Sequence, residues 1–162
     1  MSYWLYSTNY LQYEPYKKEK LDSIKITRER ITPKLSGWKN AIQWNIATLG
    51  KVRAYVVYDQ GTLIHFSYVV WGKEKFKFLK KDDIEIGPCW THPTYRGRGI
   101  YPMVLTHIIQ KELSGQGTAY MIIFDTNASS QRGVTKAGFR KTGDIVEKDM
   151  LKRYQIRTVQ PI

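Results

Sequence analysis

The chain has 162 residues, of which 42% are hydrophobic, 14% aromatic and 25% charged, a globular composition that excludes a disordered or low-complexity chain and fits one domain over residues 1–162. One cysteine, Cys89, and three histidines without ligand spacing, His65, His92 and His107, exclude an internal disulfide framework and give no metal site. The 26 Lys and Arg against 14 Asp and Glu leave a net charge of +12, which favours anionic partners, while no apolar run approaches the ~18 residues of a membrane span.

The opening Met1-Ser2-Tyr3-Trp4-Leu5 lacks a cationic region before an apolar one. No secretory signal and a cytoplasmic location are therefore expected. Residues 1–35 are rich in tyrosine and then in charge, and Pro33 marks a break. Ser36 is placed to cap a helix from about Gly37 to Leu49. There Trp38, Ile42, Ile46 and Leu49 recur at helical intervals, and Gly50 supplies a stop. Val52 to Tyr58 and Thr62 to Trp71 read as strands around an Asp59-Gln60-Gly61 turn. Lys75-Phe76-Lys77-Phe78 alternates like a half-buried strand with a basic outer face.

Ile84 to Thr91 reads as a further strand, with Gly87-Pro88 inside it. Proline donates no ladder hydrogen bond, so a bulge or a splayed edge is expected there. A basic glycine turn, Tyr95-Arg96-Gly97-Arg98-Gly99, leads into a helix from about Ile100 to Leu113. Its apolar face is Tyr101, Val104, Leu105, Ile108 and Ile109, and Thr106 and His107 fall on the polar face. Ala119 to Phe124 reads as a buried strand. Asn127 or Ser129 starts a helix through about Lys136, Gly138 ends it, and Phe139 opens a final β region. The order is that of a mixed α/β chain with a parallel strand pair joined by a crossover helix.

The segment from Trp90 to Pro102 joins a strand end, a glycine turn and a helix start. Unpaired amides and the positive end of the helix dipole make such a place ready for an anion. Arg96 and Arg98 add charge, and Pro102 suits a first helical turn. Position 102 is not the third glycine of a dinucleotide fingerprint, and G-x-x-x-x-G-K-[ST] occurs nowhere. The competing reading is an ordinary basic surface turn.

Pro93-Thr94-Tyr95-Arg96-Gly97-Arg98-Gly99-Ile100 resembles the acyl-CoA pyrophosphate loop of the GNAT superfamily of N-acyltransferases. Asn127-Ala128-Ser129-Ser130 through Lys136-Ala137-Gly138-Phe139 resembles that family's Asn-containing helix with its Gly-Phe end. The resemblance covers roughly residues 52 to 147. It implies a mixed central sheet flanked by helices, with two parallel strands that splay around the pantetheine arm of acyl-CoA, by default acetyl-CoA. It also implies that Trp90 and Thr91 bond that arm. The loop from Arg96 through Gly97, Arg98, Gly99, Ile100 and Tyr101 would hold the pyrophosphate, and Asn127 and Ser130 would face the cosubstrate. The amine would attack the thioester directly, without metal. Three positions depart from the family: Tyr101 replaces a frequent glycine, Ser130 a frequent alanine, and Val134 a tyrosine that often serves as general acid.

Glu85 matches a carboxylate base used by some members, and His92 is the alternative. Asp125 and Tyr120 are further candidates. Cys89, among apolar neighbours, reads as a buried structural thiol. The charge and the loop string resemble members that acylate nucleotide-linked amino sugars for surface polysaccharide. The implied partner is thus a small anionic amine, a sugar nucleotide, with the N-terminal aromatics available to stack on it. A protein amine or small metabolite is the alternative acceptor, and a basic nucleic-acid-binding module is the competing class. That module would not explain two spaced cosubstrate motifs. Membrane insertion is not expected, and the resemblance allows a homodimer.

Overall fold

The computed structural model describes residues 2–10, 15–16, 24–32, 38–71, 78–113, 117–147 and 154–159. Eight strands among them are β1 (Ser2–Asn9), β2 (Ile26–Glu29), β3 (Val52–Asp59), β4 (Thr62–Trp71), β5 (Ile84–Thr91), β6 (Thr118–Phe124), β7 (Arg140–Glu147) and β8 (Tyr154–Val159). The helices are α1 (Trp38–Ala47), α2 (Ile100–Glu112) and α3 (Ala128–Lys136), with a 3₁₀ turn at Pro93–Tyr95. The strands form one sheet in the order β2-β3-β4-β5-β6-β1-β7-β8. Only β5 and β6 pair in parallel; every other neighbour is antiparallel. This is the mixed α/β architecture expected, and α2 is the crossover between the parallel strands.

Local chemistry explains most boundaries. Gln60 and Gly61 have φ of 47° and 80°, the left-handed pair of a two-residue hairpin turn between Asp59 and Thr62. Asn127 caps α3 by accepting a hydrogen bond from Ser130 N at 3.1 Å. Gly138, at φ 82°, lets the chain leave α3 for β7. The expected strand at Lys75–Phe78 and the Ser36 cap lie outside the described residues, save Phe78, which is in a turn.

Both faces of the sheet are covered. On one, Ile100, Val104, Leu105, Ile108 and Ile109 of α2 and Val134 of α3 pack on Val69, Ile84, Ile86, Ala119 and Met121. On the other, Ala41 of α1 packs on Val52, Ala54, Val56, Tyr68 and Val70. Each Val, Leu, Ile or Met among them, fully buried, is worth roughly 1.5–3 kcal/mol, so the α2 face, rich in such residues, anchors the site side of the molecule. Two helix faces differ from the sequence expectation. On α2, Thr106 is buried and accepts from Tyr16 N at 3.2 Å, and half-buried His107 sits edge-on to Tyr55. The helix expected to run to Leu49 ends at Ala47, with Leu49 already at φ 51°; Ile42 and Ile46 of α1 and Leu49 beyond it face solvent, while Ala41 and, just past the helix, Thr48 are buried.

One irregularity positions the site. Ser67 pairs with Cys89 and Val69 with Ile86, so Gly87 and Pro88 together oppose Tyr68 alone. That is a bulge, at the dipeptide where proline demanded one. The parallel ladder between β5 and β6 holds only at Ile84↔Ala119 and Glu85↔Tyr120. Beyond Glu85 the two strands are no longer paired, and a gap opens toward the C-terminal end of β5.

Candidate active site

An open cleft of about 510 Å³ lies where this gap meets the starts of α2 and α3. Of the sequence candidates it brings together Trp90, Thr91, Arg96, Gly97, Gly99, Ile100, Tyr101, Asn127 and Ser130. The α2 start is built for an anion. Gly97 and Gly99 have φ of 75° and 86°, and Gly99 is the N-cap. Met103 N bonds to Gly99 O at 3.2 Å and is the first amide paired within the helix. Pro102 has no amide to offer, so Ile100 and Tyr101 carry the first-turn amides that lack an intrahelical partner. Arg96 anchors the loop by donating to Thr91 O at 3.1 Å. Tyr95 OH donates to Asp59 Oδ2 at 2.6 Å, which ties the loop to the β3–β4 turn.

Arg98 does not line the cleft. Its guanidinium lies over the Tyr95 ring, 4.7 Å from the centroid. The cations on the cleft wall besides Arg96 are Arg132 and Lys136, which the sequence reading did not single out. They sit at i and i+4 on α3 with Ser129 and Gly133, one helix face, and that spacing was a usable signal. Tyr16 also reaches the cleft; nothing local in the sequence marks it. Among the other N-terminal aromatics, Tyr3 and Tyr6 are buried and Trp4 packs under Lys141 Nζ at 4.1 Å. Asn127 spends its carbonyl oxygen on the cap of α3, which leaves its Nδ2 as the donor to present.

Glu85 and His92 are set apart. Glu85 is buried at 4% exposure on the last rung that joins β5 to β6, facing the α1 side as its β4 partner Val70 does. Its Oε1 lies 3.0 Å from where a Cβ would stand on Gly87, so the missing side chain makes room for the carboxylate at the mouth of the gap. His92 lies past the other end of the strand, outside the cleft lining, with Nδ1 2.9 Å from Thr94 Oγ1. An extended strand of that length separates the two by roughly 20 Å, so they cannot serve one reacting amine together.

A polar chain runs from the cleft wall at Thr91 and Cys89 to the buried His65 and Ser67. His65 Nδ1 lies 2.8 Å from Thr91 Oγ1, and Nε2 lies 2.9 Å from Ser67 Oγ. Burial pushes the imidazole pKa down to about 3, so the ring is neutral. Ser67 hydrogen-bonds Cys89, and Cys89 hydrogen-bonds Tyr101. Desolvation pushes the Cys89 thiol up to about 12, yet the residue is only partly buried and lines the cleft, which differs from the buried structural thiol expected. Tyr120 is held above the ordinary tyrosine value by burial. Among the described residues no group of three or more His, Cys, Asp or Glu side chains is placed to hold a metal, and no helix is long and apolar enough to cross a membrane.

Comparison with known proteins gives a consistent result. The model of the Acetyltransferase (GNAT) family matches residues 15–139. An acetyltransferase from the GNAT family of Colwellia psychrerythraea superposes with a TM-score of 0.58 at 16% identity, over 86% of this chain and 52% of that one. A GCN5-related N-acetyltransferase from Kribbella flavida does so with a TM-score of 0.56 at 10% identity, over 96% and 56%. A fungal multi-domain β-N-acetylglucosaminidase, described as containing a GCN5-related glucosamine N-acetyltransferase region, gives 0.55 at 13% identity, over 89% and 20%. The chain thus spans about half the length of the first two. No curated protein matches the chain.

Proposed function

The chain belongs to the GNAT acetyltransferase family, and on that premise we propose that it moves an acyl group, acetyl by default, from acyl-CoA to a primary amine by direct attack on the thioester. The observation that carries this is the junction of an anion-ready helix start with a gap between two parallel strands. The amides of Ile100 and Tyr101 and the open glycine turn take the pyrophosphate. Arg96, Arg132 and Lys136 supply positive charge around it. The main chain at Trp90 and Thr91 faces the pantetheine amides, and Asn127 and Ser130 close the wall opposite. The thioester then lies in the gap, and a backbone amide of β5 stabilises the charge that develops on its carbonyl oxygen.

The acceptor approaches from the α1 side, where Glu85 takes the proton of the attacking amine. We assign the acceptor to the anionic amines, with a nucleotide-linked amino sugar as the specific reading. The net charge of +12 supports this, being more than one CoA requires. The fungal neighbour's glucosamine-directed region supplies an amino-sugar precedent on this fold.

Isothermal titration with acetyl-CoA tests the core of the reading. Binding in the micromolar range is expected, and the Arg132→Glu/Lys136→Glu pair should weaken it at least tenfold. Absence of binding to the unmodified protein would remove the acyl-CoA reading. An amine screen led by amino-sugar nucleotides follows; indifference to removal of the diphosphate would remove the sugar-nucleotide acceptor alone.

A further inference from the structure

The Tyr101 side chain is held in an unusual place. It starts from the first turn of α2, at the anion site, and runs into the gap between β5 and β6. Its hydroxyl meets Cys89 of β5 on one side and donates to Met121 Sδ of β6, 4.0 Å away, on the other. The ring lies flush against α3. A Cβ on Gly133 would come within 2.5 Å of Tyr101 Cδ1, so glycine there is what admits the ring. The residue is partly exposed to the cleft, while the hydroxyl itself is buried.

A thioether at that distance is a weak acceptor, and a thiol is little better. A buried hydroxyl whose named partners are both sulfurs is poorly compensated for the water it gave up. The arrangement suits a donor that waits for a stronger, charged acceptor of the same soft kind. Expulsion of a thiolate creates one in this gap.

We propose that the Tyr101 hydroxyl is the hydrogen-bond donor that stabilises the departing CoA thiolate, a role that rests on the acyl-transfer reading above. As the amine nitrogen bonds to the thioester carbon, the C–S bond breaks and sulfur takes the electron pair. The hydroxyl holds that charge without losing its own proton. The proton shed by the amine, through Glu85 and solvent, ends on sulfur, so the products are the amide and neutral CoA thiol. Burial and the neighbouring Cys89 hold the Tyr101 hydroxyl well above the ordinary tyrosine value, so it stays a donor throughout the working pH range. The chain of Thr91, His65, Ser67 and Cys89 behind it fixes its direction.

The test needs no acceptor. CoA is bound to the wild-type protein and to Tyr101→Phe, which keeps the ring on Gly133, and the S–H stretch of bound CoA is followed by Raman difference spectroscopy across pH. The thiol is expected to deprotonate about tenfold more readily, one pH unit lower, in the wild type. CoA affinity should change by less than about threefold. Incorporating 3-fluorotyrosine at position 101, a stronger donor of nearly the same shape, should lower the midpoint further and keeps the test open if the Phe variant folds poorly. Equal midpoints in all three proteins would overturn the assignment while leaving acyl transfer intact. Failure of the wild type to bind CoA would overturn both.

Discussion

Glu85, the proposed base, is a carboxylate buried beside the gap, and such a group can accept a proton from an attacking amine. Its replacement by Gln keeps the shape and removes the charge. Turnover at neutral pH should fall by roughly a hundredfold, as expected for a lost general base, and acetyl-CoA binding measured by titration should not move. Turnover within a few-fold of wild type would take Glu85 out of the role. His65 makes a separate prediction about stability. Its folded-state value of about 3 lies below the ordinary 6.5, so the unfolded chain holds more protons between those limits. Stability must therefore fall as pH drops through that window. At pH 4 this amounts to about 3 kcal/mol as an upper bound. Denaturant titrations at stepped pH should show that loss in the wild type and a flatter profile in His65→Gln; parallel profiles would mean the buried ring is not the origin. At this scale the site was legible where it was contiguous. Most of the run from Trp90 to Tyr101 could be read directly, His92 and Arg98 excepted, because a helix start and two glycines dictate backbone geometry by themselves. Arg132 and Lys136 were legible only as a helix face, and Tyr16 not at all, since tertiary contact alone brings it to the cleft.

Elements divide along the same line. The β3–β4 hairpin and β5 with its bulge follow from local rules, Gln60-Gly61 for the turn and Gly87-Pro88 for the interruption of the ladder. Helix α1 shows where periodicity misleads. Trp38, Ile42 and Ile46 do fall in a helix, which ends at Ala47 short of the expected Leu49, yet Ile42, Ile46 and Leu49 are 53%, 70% and 75% exposed. The face turned to the sheet is Ala41, Trp44 and Thr48. Its small residue lets the helix sit close, with Trp44 edge-on to Tyr68 at 5.5 Å. An i, i+4 stripe reports that a helix forms, whereas which stripe is buried depends on the shape of the surface it meets. On α2 the same logic buries Thr106, whose hydroxyl has a backbone amide to satisfy.

At the scale of the whole molecule, β1 decides how the sheet is held together. It lies between β6 and β7, antiparallel to both, and its pairing Ser7↔Tyr120 joins distant parts of the chain. Residues 1–35 carry no element in the sequence expectation, although Tyr3, Trp4, Tyr6 and Thr8 are strand formers. The alternation that usually announces a strand is absent because Leu5, Tyr6, Ser7 and Thr8 are buried in succession, both faces of the sheet being covered there. Ser7 survives burial because its hydroxyl donates to Thr142 Oγ1 at 3.0 Å on β7. A strand in this position backs β6, one wall of the gap in which the thioester is proposed to lie. Without it β6 and β7 would both become edges. Leu5 is fully buried, so Leu5→Ala should cost roughly 2–5 kcal/mol. Native-state hydrogen exchange offers the sharper check. Amides of β1 should exchange only through global unfolding, with the same free energy as those of β5 and β6, and Leu5→Ala should lower all three together. Rapid exchange in β1 beside a protected β5 would show instead that the sheet closes without it, and that β6 keeps its place by the short parallel ladder at Ile84 and Glu85 alone.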